Sequence, residues 1–112
     1  MVDNAAELFR VMADPIRLRI LHLLRAGELC VGDLVTVLDV PQPTASRHLA
    51  YLKRSGLISA RKNSYWTFYE LAPARTPLRR KLLECLDADR QGQAKDAKRL
   101  AAIRRNGGCC PM

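Results

Sequence analysis

The stretch Val40–Gly56, VPQPTASRHLAYLKRSG, decides how the rest of the chain is read. Val40-Pro41-Gln42-Pro43 reads as a turn and a helix start, because a helix accepts proline only in its first turn. Ala45, Leu49 and Leu52 then recur at helical spacing, and Gly56 stops the run. The other face carries Thr44, Ser46, Arg47, His48 and Tyr51. A helix with one narrow apolar stripe and a polar, basic remainder is either solvated on its outer face or built to enter a groove.

Upstream, VGDLVTVLDV predicts a short third helix with Leu34, Val37 and Leu38 inward, reached by the link Glu28-Leu29-Cys30. Before it, a second helix repeats Ile16, Ile20, Leu23 and Leu24, with Asp14 as N-cap, Pro15 in its first turn and Gly27 as its stop. A first helix over residues 4–13 places Ala5, Leu8, Phe9 and Met12 on one side. Downstream the period changes. LISARKNSYWTFYEL is rich in aromatic and β-branched residues and reads as two strands, with Lys62-Asn63-Ser64 as the hairpin tip and apolar residues on both faces. After a linker at 72–77, Leu78, Leu82, Leu83 and Leu86 stripe a fifth helix. Beyond Gly92 the chain is helix-prone again, with Ala94, Ala97, Leu100 and Ala101 in phase, until Gly107-Gly108. The order is that of a mainly α winged helix-turn-helix with a β-hairpin wing.

The chain has 112 residues, the length of one domain, and 48% hydrophobic composition, enough for a core. A formal net charge of +8 points to an anionic partner, nucleic acid or an acidic membrane surface. No apolar run approaches the roughly 18 residues that span a bilayer. The first ten residues, MVDNAAELFR, lack a signal-peptide core. The expectation is a cytoplasmic protein with reduced thiols, in which four cysteines are ligands, sensors or core residues rather than a disulfide framework.

On this reading the fourth helix is the recognition helix. Its N-terminal side chains Gln42, Thr44, Ser46, Arg47 and His48 are placed to meet base edges and phosphates in a major groove. Backbone N–H groups at its start favour a phosphate too. Arg61, Lys62 and Asn63 on the wing would reach the backbone or the minor groove. A proline-started polar helix, an adjacent basic hairpin and a strong positive charge coincide here, and together they favour double-stranded DNA over a solvated face.

LFRVMADPIRLRILHLL, ELCVGDL, QPTASRHLAYLKRSGLI and SYWTFYEL together resemble the ArsR/SmtB family of metal-responsive repressors, over roughly residues 6–71. The resemblance implies a homodimer formed through the first and last helices, here through residues 5–12 and 78–86. It also implies an operator-binding repressor released by a metal or metalloid ion. The division expected is a DNA-binding and dimerisation domain over residues 1–106 and a flexible cysteine-bearing tail over 107–112.

The family's arsenic site is a run of the type ELCVCDLC. Here Cys30 keeps the first cysteine position, while Gly32 and Val35 stand at the other two, and one thiol cannot hold a soft trivalent ion. The family's zinc site needs paired Asp and His residues on the last helix, where neither His22 nor His48 lies. Thiolates are soft donors and select thiophilic ions. Cys109 and Cys110, next to Gly107-Gly108 and close to Arg104 and Arg105, are therefore the expected ligands. The third thiolate is Cys85 or Cys30, with Cys85 favoured as the nearer in sequence, unless two suffice. The inducer expected is trivalent arsenic or antimony, inorganic or organoarsenical, with no organic cofactor. A thiol redox switch, or cadmium or lead sensing on the same fold, is the alternative. An enzyme is not expected, because no third group orients a cysteine–histidine pair.

Overall fold

A computed structural model describes residues 4–107, apart from the side chains of residues 90–92. Helix α1 (Ala5–Met12) starts on Asn4, whose Oδ1 accepts the Glu7 N–H at 2.9 Å. Helix α2 (Pro15–Arg25) starts on Asp14, whose Oδ1 accepts the N–H groups of Ile16 and Arg17 at 2.9 and 3.1 Å. Both caps satisfy donors that the first helical turn leaves without partners. Helices α3 (Val31–Leu38) and α4 (Gln42–Arg54) follow, joined by a three-residue turn in which Asp39 takes a left-handed conformation (φ 54°).

Strands β2 (Ile58–Asn63) and β3 (Trp66–Leu71) form the wing. The sequence expectation placed its tip at Lys62–Ser64, but Lys62 and Asn63 pair with Thr67 and Trp66, so the tip is Ser64-Tyr65. A further strand, β1 (Leu29–Cys30), pairs Leu29 with Tyr69 and Cys30 with Phe68. The sheet is thus antiparallel and three-stranded, ordered β1-β3-β2. What reads in sequence as a link is an edge strand, and two residues are too few to show a period.

The core forms where α1, α2, α3 and α4 converge. Leu8, Ile20, Leu21, Leu34, Val37, Leu49 and Leu52 are fully buried in it, and Phe68 and Cys30 close a smaller cluster under the sheet. Helix α5 (Pro77–Cys85) adds Leu83 to the core and leaves Leu78 and Leu82 half-buried. Its buried Arg79 donates from Nη2 to the Gly56 carbonyl at 2.6 Å and ties α5 to the end of α4. Phe9, expected inward, is 56% exposed, while Leu8, Val11 and Met12 fill the core side of α1.

Helix α6 (Arg90–Arg105) begins earlier than the sequence suggests and runs through Gly92. Of the stripe expected inward, Leu100 alone is buried. Ala94, Ala97 and Ala101 are exposed, and Asp96, Leu100 and the half-buried Ile103 face inward. The cause is an ion pair: Asp96 is buried against Arg19 of α2, and an apolar-periodicity reading sends an aspartate to solvent. Among the described residues no helix is long and apolar enough to cross a membrane.

Candidate nucleic-acid interface

Helix α4 is mounted through Ala45, Leu49 and Leu52, all fully buried, which fixes the angle at which its other side projects. Gln42, Ser46 and Arg47 are exposed on that side, and Thr44 is half-buried. The helix has no side-chain cap; Pro43 has no N–H, and Thr44 donates its own to the Pro41 carbonyl at 3.0 Å. The exposed side chains, rather than free backbone N–H groups, thus supply most of the donors at this helix start.

His48 departs from the sequence expectation. It is only 8% exposed and faces Asp14, with Nδ1 3.9 Å from Oδ1. A buried ring cannot reach a base edge, so His48 braces α4 against the start of α2 instead. Asp14 is held below the ordinary carboxylate value of 3.8: burial pushes it up, and the N–H groups of Arg17 and Ile16 with the charges of His48 and Arg17 outweigh that. Tyr51 is half-buried on the neighbouring turn of α4, with the Arg17 guanidinium 4.5 Å and that of Arg54 6.0 Å from its ring centre. Arg17 also donates from Nε to the Val11 carbonyl at 2.6 Å, joining the end of α1 to α4 through one side chain.

On the wing, the three expected residues divide. Lys62 and Asn63 are exposed. Arg61 is exposed too, but it donates to both Glu28 oxygens at 2.7 Å and lies 4.6 Å over the Phe68 ring. That pairing pushes Arg61 up and holds the Glu28 carboxyl below its ordinary value. Tyr65 at the tip is 97% exposed, a position the sequence reading did not single out.

Cys85 is a free, exposed thiol at the end of α5. Cys30 is 1% exposed and disulfide-bonded; its Sγ also accepts the Asp33 N–H at 3.4 Å, capping α3. Cys109 and Cys110, with the rest of the expected tail beyond Gly107, lie outside the described residues. Among the described residues no three His, Cys, Asp or Glu side chains gather to hold a metal ion.

Residues 14–60, which run from the α2 cap through α4 into the wing, match the family model "Bacterial regulatory protein, arsR family". The chain is 53% identical over 68 residues to the arsenical resistance operon repressor of Escherichia coli, a match covering 60% of this chain and 58% of that protein. It is 38% identical to the arsenic resistance transcriptional regulator ArsR1 of Pseudomonas putida, covering 86% and 77% of the two chains. The structure of reduced HlyU from Vibrio cholerae superposes with a TM-score of 0.65 at 38% identity, over 73% of this chain and 83% of that one. Both named relatives are transcriptional regulators and not enzymes. With the helix-turn-helix, the wing and these matches in agreement, the chain belongs to the arsR family of bacterial regulatory proteins.

Proposed function

We propose that this protein is a repressor that binds operator DNA as a homodimer. Trivalent arsenic or antimony, inorganic or as an organoarsenical, releases it when held by cysteine thiolates. DNA binding is supported by the exposed Gln42, Ser46 and Arg47 on a rigidly mounted α4, with Lys62 and Asn63 beside them on the wing. The exposed Phe9 on α1 and the half-buried Leu78 and Leu82 on α5 support a dimer through those helices. The arsenic reading rests on relatives named for arsenical resistance and on the soft donors of this chain.

The observation that carries the inducer reading is the place of Cys30. It opens α3, the first helix of the helix-turn-helix pair, and it pairs with Phe68 of the wing. An ion on this sulfur would act on both DNA-facing elements at once. We take Cys30 rather than the free, exposed Cys85 as the partner of Cys109 and Cys110, because it stands where α3 meets β3. The ion releases DNA only if it binds the DNA-free conformation more tightly. A coupling of about 3 kcal/mol weakens operator binding roughly 150-fold.

The test is operator binding by fluorescence anisotropy, with and without phenylarsine oxide or arsenite. Wild type and Cys85→Ser should release DNA; Cys30→Ser and the Cys109→Ser/Cys110→Ser double variant should not. Release of the double variant at the wild-type dose overturns the terminal site. The disulfide at Cys30 favours one second reading, a thiol redox switch. In that case peroxide alone releases DNA and dithiothreitol restores binding.

A further inference from the structure

We propose that Asp96 and Arg99 of α6 are positioning residues for α4, acting through the turn between α3 and α4. The proposal rests on the reading that α4 contacts DNA. The last carbonyls of a helix have no intrahelical partner. At the end of α3 two of them are taken by guanidinium groups from other helices. Arg99 donates from Nη1 to the Val37 carbonyl at 3.1 Å, and Arg19 from Nη2 to the Leu38 carbonyl at 3.0 Å. Asp96 fixes Arg19 by accepting from Nε and Nη2, both at 2.9 Å. Arg99 also lies 3.8 Å from the carboxylate of Asp39, the left-handed residue of the turn.

Asp96 is 3% exposed. A buried ion pair holds a helix no better than apolar residues of similar volume, because desolvation offsets the attraction. Its distinguishing property is direction: a two-pronged carboxylate–guanidinium pair permits one orientation. That orientation sets the Leu38 carbonyl, and the three-residue turn passes it to Gln42 at the start of α4. Helix α6 thereby becomes part of the base-reading apparatus.

The experiment uses the full chain and two DNA probes: a duplex selected by the wild type from a random pool, and a shuffled duplex of the same composition. Asp96→Asn, Asp96→Glu, Arg99→Gln and the control Arg47→Ala are compared by anisotropy over a salt series. Asp96→Asn and Arg99→Gln should each lower the ratio of selected to shuffled affinity by about tenfold, the scale of one mismatched base pair. Affinity for the shuffled duplex and its salt slope should not change, and Asp96→Glu should recover part of the ratio. Arg99 is partly exposed, so Arg99→Gln keeps the test open if Asp96→Asn fails to fold by circular dichroism. The proposal is overturned if folded variants keep the ratio within about twofold while Arg47→Ala loses it. A salt slope reduced by about one in Arg99→Gln overturns it as well, by marking a phosphate contact. If Arg47→Ala keeps the full ratio, the reading of α4 fails, and the proposal with it.

Discussion

Glu28 accepts from both Nε and Nη2 of Arg61, each at 2.7 Å, and so holds the base of the wing to the segment that leads into Cys30. The guanidinium is further fixed by the Phe68 ring beneath it. Two of the five N–H donors of this exposed side chain are thus engaged on Glu28, and its charge is matched there. Arg61→Gln should therefore leave the salt dependence of DNA binding close to wild type. Lys62→Ala, which removes an exposed charge, should lower the slope of log affinity against log salt by about one. Anisotropy titrations at several salt concentrations separate the two, and equal slopes for both variants would show that Arg61 leaves Glu28 on the DNA.

Helix α4 should divide along its burial pattern. Arg47→Ala removes an exposed donor pair and should cost about 1–3 kcal/mol of discrimination at one base pair. His48→Ala should instead show as lost stability, because it empties a buried site against Asp14. Competition binding against single-base operator variants, together with urea melts, reads both effects. A His48→Ala protein of wild-type stability with relaxed base preference would return His48 to the DNA face.

The mount of α4 should be the costliest part to disturb. Leu49 is fully buried between α4 and the helices beneath it. Leu49→Ala should destabilise the fold by about 2–5 kcal/mol, from lost transfer energy and the cavity left behind. Ala50→Ser, on the exposed side of the same helix, should stay within about 0.5 kcal/mol of wild type. Denaturant midpoints at constant m-value check the comparison.

What the sequence disclosed here was whatever repeats locally. The stripe Ala45, Leu49, Leu52 and the inward set Leu34, Val37, Leu38 are periodic over one helix each, and both are buried as their spacing implies. What it concealed depends on partners far along the chain. His48 turns inward because Asp14 is there, Asp96 joins Leu100 on the inner side of α6 because Arg19 is there, and Arg61 is paired because Glu28 is there. Each partner lies more than thirty residues away, on another element, and no local period records it. Strand β1 was hidden for a different reason: two residues acquire strand character only by pairing with β3.

His22 supplies a pH dependence with a definite sign. It lines a cavity of about 400 Å³ between α2 and the start of α6, beside Leu18, Leu86 and Gln93. Burial lowers its affinity for a proton below the ordinary value of 6.5 and Arg25 adds to that, outweighing the carboxylates of Asp87, Asp96 and Asp89. The unfolded chain therefore binds the proton first as pH falls, so His22 contributes stability that is complete above about 6.5 and is lost below it. Asp14, Glu28 and Asp87 are held below their ordinary carboxylate values and stay ionised between pH 7.5 and 5.5, adding no slope there. The urea midpoint should fall over that interval in the wild type and fall less in His22→Gln. A midpoint that rises towards pH 5.5, or an equal fall in both proteins, would remove His22 as the cause.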